Sequence, residues 1–318
     1  MKAGADPAKA VKAALLANAG IALAKLVAAV LSGSATMLAE GVHSLADTSN
    51  QALLLLGMRL SSRKATALHP FGRDSESYFW AFIVSLLLFF LGGVFAIWEG
   101  VHKLAADEDH TGSLVAPLAV LGISILLEAG SFLVAFKEFN KGRGKRPFFE
   151  ALFAGKDPVI PLVLLEDSGA VLGLVIAFAS ILVTAITKRA AFDGVGSILI
   201  GLLLCTIGLL LARDTRSLLI GEGIDDETRR DVLQVANETP GVDAVTQLLS
   251  LHLGPSSVLL ALKVRFKAGA SLADVERTIN ELEVRIRAKE PRMRRIFVEP
   301  DAEYDPSRDP DAIGPLTT

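Results

Sequence analysis

Residues 36–58 read TMLAEGVHSLADTSNQALLLLGM, an apolar run long enough for a membrane helix yet interrupted by Glu40, His43, Asp47 and Asn50. The spacings are three, four and three, so on a helix all four lie on one face. His43 and Asp47 form an i, i+4 pair, stacked one turn apart, and both can reach one ion from a single helix. Nitrogen with carboxylate suits zinc and its neighbours in the transition series. Ionisable groups within a span are costly, so four polar residues in register on an apolar helix point to function rather than to an interhelix seam.

Five further stretches are of spanning length: 11–31, 78–100, 115–136, 159–187 and 194–212. Turn and charge signals fill the gaps, such as His69-Pro70 and the basic run from Lys141 to Arg146. Hydrophobic residues make up 51% of the 318 and mean hydropathy is +0.47, while charged residues still reach 21%, so the two kinds must be segregated. Past Arg213 the long apolar runs stop. The expected architecture is an all-α membrane domain of six transmembrane helices over 1–212, a small cytoplasmic α/β domain over 213–304 and a disordered tail over 305–318.

Lysine and arginine concentrate in the N-terminal segment (Lys2, Lys9, Lys12), the second-to-third loop (Arg59, Arg63, Lys64, Arg73) and the fourth-to-fifth loop (six residues from Lys137 to Lys156). The opposite loops hold Lys103, Lys188 and Arg189, so both termini are expected in the cytoplasm. The N-terminus has neither a signal-peptide nor a transit-peptide pattern, which suggests a bacterial inner membrane. Net charge of −3 argues against nucleic acid as a partner. Cys205, the one cysteine, lies in an apolar run and can form no intrachain disulfide.

In the tail, Asp225–Ala236 reads as a helix with acids at its start. Residues 242–253 and 257–267 read as strands split by Gly254-Pro255. In the second, Val258, Leu260, Leu262, Val264 and Phe266 alternate with wet positions. Ser271 caps a helix to about Lys289, and residues 295–299 form a last strand, giving the order α-β-β-α-β. Pairing with a second copy would help so small a core.

The fifth span carries Glu166 and Asp167 in an apolar setting. Two adjacent carboxylates cannot both be buried and ionised without a cation or proton. They point about 100° apart. Pro158 and Pro161 could bend the helix, and Gly169 and Gly173 let a second helix approach. Span 2 against span 5 would place His43, Asp47 and Asp167 around one ion, with Glu166 as the fourth candidate. Glu128 in span 4 could carry a proton or partner the site, as could Glu40 and Asn50. Lys25 is read as snorkelling or pairing with an acid. Glu99 and His102 read as interface residues, His69 carries no reading, and His252 reads as a strand surface residue.

The stretch Ser34–Asp47 resembles the second span of the cation diffusion facilitators, a family of zinc, manganese, iron and cobalt exporters, and Leu165–Gly173 resembles its fifth. Glu166-Asp167-Ser168 is most similar to the ZnT9-like branch. The resemblance covers nearly the whole chain. It implies a homodimer, exchange of the ion for protons, and a site made by His43, Asp47 and Asp167. The position of the family's other span-5 ligand is Val163, which cannot bind metal. The family's His-rich loop before span 5 is absent, and 141–156 is basic and aromatic instead. Near the family's tail zinc sites stand Glu299, Asp301 and Leu262, so no regulatory metal is expected there.

The expected function is export of Zn2+, or Mn2+, Fe2+ or Co2+, against protons by alternating access, with no cofactor. Protonation of His43 and an acid would displace the ion, since ligands must be deprotonated to bind. A membrane metalloenzyme is not expected, because neither HExxH nor GxSxG occurs. A transport-inactive scaffold or sensor is the remaining alternative, kept open by Val163.

Overall fold

The computed structural model describes residues 6–32, 35–105, 115–187, 189, 191–303 and 305; side chains of residues 32, 35–40, 42, 43, 115–117 and 154 lie outside the described set. The chain divides into two compact units, Met1–Arg63 with Glu76–Arg216 and Lys64–Ser75 with Ser217–Thr318.

The first unit is helical: α1 Pro7–Ser32, α2 Ala35–Ser61, α3 Glu76–Leu87, a π-helical segment Leu88–Val94, α4 Phe95–Ala105, α5 Val115–Arg143, α6 Phe148–Ala154, α7 Val159–Thr187 and α8 Ala191 onward to Ile220. Pro7–Leu31, Glu76–Ala105, Leu118–Arg143, Val159–Thr187 and Ala191–Ile220 are long and apolar enough to cross a membrane. The sixth span is α2, whose polar stripe lowers its hydropathy. Its 27 residues rise about 40 Å, more than the roughly 30 Å of a hydrocarbon core. The six-span architecture is therefore as expected, with longer helices.

The third span is not one regular helix. The π segment LFFLGGV interrupts it between α3 and α4, and an inserted wide turn leaves no mark on a hydrophobic count. This span meets α8 along a glycine seam. A Cβ at Gly93 would lie 2.7 Å from the Cys205 backbone N, and one at Gly201 2.7 Å from the Gly93 carbonyl. A Cβ at Gly100 would lie 2.6 Å from the Gly194 carbonyl. Gly169 of α7 also faces α8, at Ile207, and Gly173 faces Ile200, so the small-residue face of the fifth span serves the sixth.

Alternating directions bring particular ends together. The buried Glu138 carboxylate of α5 accepts from the Asp6 N–H at 3.1 Å and pairs with Lys141 at 2.6 Å and Lys9 at 3.6 Å. The Tyr78 hydroxyl donates to the Lys156 carbonyl at 2.9 Å. The chain start, the start of the third span and the fourth-to-fifth connection thus share one end of the bundle. Elsewhere Lys103 pairs with Glu99 and Asp193, each at 3.0 Å. Helix α6, unforeseen within the basic aromatic stretch, packs Ala151 and Leu152 into the core beside Phe139 and Val159.

The second unit follows the expected order. It contains α9 Asp226–Asn237, β1 Val242–Gly254, β2 Ser257–Phe266, α10 Leu272–Lys289 and β3 Met293–Pro300. The sheet order is β1-β2-β3, antiparallel then parallel. Asp225 caps α9 by accepting from Thr228 N–H, and Ser271 with Asp274 forms a capping box on α10. Val258, Leu260, Leu262 and Val264 are buried against Val232, Leu282 and Ile286, as their alternation requires. His252 departs from its expectation. It is buried rather than exposed, its Nδ1 3.1 Å from the Glu222 carbonyl, because it lies on the same face of β1 as Leu248, opposite the buried Val258. Glu299 and Asp301 both face Lys263, at 3.7 and 3.6 Å, so an ammonium occupies the place considered for a tail metal. Apart from Asp305, the stretch expected to be disordered lies outside the described residues.

Candidate transport site

Buried polar side chains of the membrane unit gather where α1, α2, α5 and α7 approach. Helix α7 supplies Glu166 and Asp167, both nearly inaccessible, on neighbouring faces as their 100° offset demands. The two carboxylates are held by different helices. Glu166 faces α2: Gln51 Nε2 donates to its Oε2 at 2.7 Å, and Asn50 Nδ2 reaches its Oε1 at 3.5 Å, the outer limit of a hydrogen bond. Asp167 faces α5, where the Ser131 hydroxyl donates to its Oδ2 at 2.6 Å. Charge-assisted bonds of this length are the strong kind.

One turn before Ser131 stands Glu128, also buried, within Coulombic range of Asp167, Asp47 and Lys25. Asp47, half-buried on α2, lies in range of Glu166 as well. Lys25 does not snorkel to an interface; it is buried, within Coulombic range of Glu128. Four carboxylates and one ammonium thus share one region inside the bundle. The backbones of Glu40 and His43 are helical, two turns and one turn before Asp47, and their side chains lie outside the described residues. Among the described residues no three His, Cys, Asp or Glu side chains stand close enough together to hold a metal ion. Each described carboxylate of α7 is instead tied to its own donor.

Val163 is fully buried in an apolar cluster with Ala10, Leu54 and Ile160. That is a packed core position, which no rotamer of a neighbouring side chain converts into a ligand site. Gln51 and Ser131 were not among the expected site residues. Gln51 is four residues beyond Asp47 and Ser131 three beyond Glu128, so the same helical spacing that linked His43 to Asp47 marks both. Glu99 pairs with Lys103, and His102 packs on Trp98 with ring centroids 4.3 Å apart.

A bundle of six spans seals these carboxylates among its helices. Residues 11–220 match the cation efflux transmembrane domain, and the chain belongs to the cation efflux family. Metal tolerance protein C4 of Arabidopsis thaliana is 36% identical over 239 residues, covering 74% of this chain and 51% of that protein. The Homo sapiens proton-coupled zinc antiporter SLC30A9, mitochondrial, is 31% identical over 264 residues, covering 82% and 45%. The magnetosome protein MamB of Paramagnetospirillum magneticum is 25% identical over 292 residues, covering 90% and 92%. The chain spans about half the length of the plant and animal relatives. The nickel form of a MamM C-terminal-domain variant matches 25% of this chain and all of that one, with 14% identity and a TM-score of 0.24, too slight to bear on function. The expected family, with its ZnT9-like branch, is borne out.

Proposed function

We propose that this chain is a secondary active transporter that exports a divalent cation, zinc foremost, from the cytoplasm in exchange for protons. One observation carries the reading: Asp47, Glu128, Glu166 and Asp167 converge from three helices inside a cation efflux domain. Such a concentration of buried negative charge is stable only if cations or protons compensate it, and a site that accepts either in turn exchanges one for the other. His43, Asp47 and Asp167 are proposed as ligands, with Glu166 as a fourth carboxylate that must leave its amide partners to join them. Zinc is favoured by the histidine; manganese, iron and cobalt are the alternatives. The SLC30A9 relatives, named as proton-coupled zinc antiporters, support zinc and proton coupling.

The N-terminal segment and the α5–α7 connection, both rich in Lys and Arg, lie at the same end of the bundle. This supports cytoplasmic termini and a cytoplasmic α/β domain over residues 213–304. A mitochondrial name among the relatives gives no support to the bacterial inner membrane expected above, so orientation alone is proposed. The chain is proposed to act as a homodimer in the lipid bilayer.

The test is uptake of zinc, then manganese, into liposomes holding the purified protein under an imposed pH gradient, beside Asp47→Ala and Asp167→Ala. Wild type should concentrate the ion, and both variants should fail. Equal accumulation without a pH gradient would refute proton coupling. If wild type moves no ion, the scaffold or sensor reading, which the apolar burial of Val163 favours, replaces transport.

A further inference from the structure

The basic, aromatic stretch between the fourth and fifth spans has no part in the site described above. Residues 141–156 carry five bases, Lys141, Arg143, Lys145, Arg146 and Lys156, against one acid, Glu150. Two of the bases act within the protein: Lys141 pairs with Glu138, and Arg143 donates to the Asn140 side chain at 2.6 Å and to the Arg146 carbonyl at 3.1 Å. With Gly144 at φ +62°, a left-handed conformation that suits glycine, they close a tight turn at the end of α5. Lys145 and Arg146 stand exposed on that turn.

Helix α6 follows directly and has two sides. Ala151 and Leu152 are buried, and Phe148 packs on Phe139 with ring centroids 5.1 Å apart. Phe149 and Phe153, one turn apart, lie on the open side and are 74% and 42% exposed. The neighbouring surface indicates what they meet. Leu126, Leu133 and Phe136, spaced seven and three apart, form an exposed apolar stripe on α5, the side that a spanning helix turns to lipid. Aromatic rings carry that stripe past the span: Phe136 lies 6.2 Å from Phe148, and Phe148 lies 5.5 Å from Phe149. The 29 residues of α5 rise about 43 Å against roughly 30 Å of hydrocarbon, and its charges begin at Lys137, so its last turns and the turn that follows lie at headgroup level. Aromatic rings and bases at that level face opposite parts of one lipid, the acyl chains and the phosphate. A second copy of this chain seated on the same face would set these bases against their own equivalents.

We propose that this turn and α6 form a docking surface for an anionic phospholipid, with Phe149 and Phe153 among the first acyl carbons and Lys145 and Arg146 on the headgroup phosphate. The rings set the depth, and the bases select the charge. Because α6 packs beside Val159, an occupied surface also steadies the start of α7, the helix of Glu166 and Asp167.

The experiment places the full chain, with Phe149→Trp as reporter, in vesicles of equal parts phosphatidylglycerol and phosphatidylcholine, one of the two carrying brominated acyl chains. Tryptophan quenching is read after subtracting the unsubstituted protein, which contributes Trp80 and Trp98. Brominated phosphatidylglycerol should quench as though it held the site at least about fivefold more often than phosphatidylcholine, and the double variant Lys145→Gln with Arg146→Gln should bring the two within about twofold. Leu126→Trp, on the same stripe but about 25 Å back along α5, should be quenched by both alike. Phe153→Trp is the second reporter; if neither reporter folds, the rings serve packing and the proposal fails. Equal quenching by the two lipids at the reporter, a preference that survives the double variant, or the same preference at Leu126→Trp overturns the proposal. So does an absence of quenching by either lipid, the result expected of a surface covered by a second copy or facing water.

Discussion

Gln51→Leu should separate stability from function at the α2–α7 bridge. The Gln51 amide donates to Glu166 at 2.7 Å with both groups buried. A hydrogen bond to a charged group contributes about 1.5–3 kcal/mol, but those between membrane helices average nearer 0.6 and reach about 1.7, so about 1.5 kcal/mol is lost. Gln51 Oε1, on the other hand, is buried with no hydrogen-bond partner among the described residues. An orphan acceptor of this kind costs about 1–3 kcal/mol, which leucine removes. The two nearly cancel, leaving a net change within about 1 kcal/mol, or about 2 °C in melting temperature for a chain of this size. Glu166 is left with Asn50 at 3.5 Å and is free to swing from the bridge. Because that bridge must re-form once the ion has left, zinc transport should fall at least tenfold, about 1.4 kcal/mol, while the fold persists. Scanning fluorimetry and liposome uptake on the same preparations read the two quantities. Wild-type transport by Gln51→Leu, or a loss of more than about 4 °C, would refute the reasoning.

Gly201→Val should destabilise the membrane unit by more than about 2 kcal/mol, because even a Cβ there meets the Gly93 carbonyl and Ile97 N at 2.7 Å; detergent-solubilised thermal melts check it. Ser271→Ala removes the capping box and should weaken the first turn of α10 by about 1 kcal/mol, seen as faster amide hydrogen exchange over residues 272–275. Arg292 donates to both carboxylate oxygens of Glu290, at 2.9 and 2.8 Å, and those bonds hold its carboxyl below the usual range. A lowered folded value means the contribution is fully present above the unfolded value of about 4.3 and is lost as pH falls through the folded one. Arg292→Ala should accordingly accelerate exchange around residues 290–293 at pH 7 and make no difference near pH 2.

Much of this molecule was legible because its forces are written in runs and spacings. Six apolar stretches announce six spans, and the period-two pattern from Val258 to Val264 announces β2 and its buried face. Asp225 and Ser271 mark their helices by residue type. What stayed hidden depends on which helix each face meets. Spacing put Glu166 and Asp167 on different faces, yet only the packing assigns Glu166 to Gln51 on α2 and Asp167 to Ser131 on α5. Lys25 was readable as a charge in a span, while its burial follows from the close crossing of α1 and α2 at Gly41. Gly169 and Gly173 promised a close neighbour without saying it was α8. The π segment is a register event, and register leaves no trace in composition.

The glycine seam between the third and sixth spans constrains how the bundle can move. Where carbonyls and amide nitrogens of two helices meet with no side chains between them, no rotamer can flip to accommodate sliding. These two spans must travel as one plank. The α2–α7 bridge is of another kind, an amide and a carboxylate on extendable side chains that can stretch, let go and re-form. Under the transport proposal, which opens the interior first to one side and then to the other, the give lies along that joint, and Glu166, proposed as the fourth ligand, is the carboxylate held there.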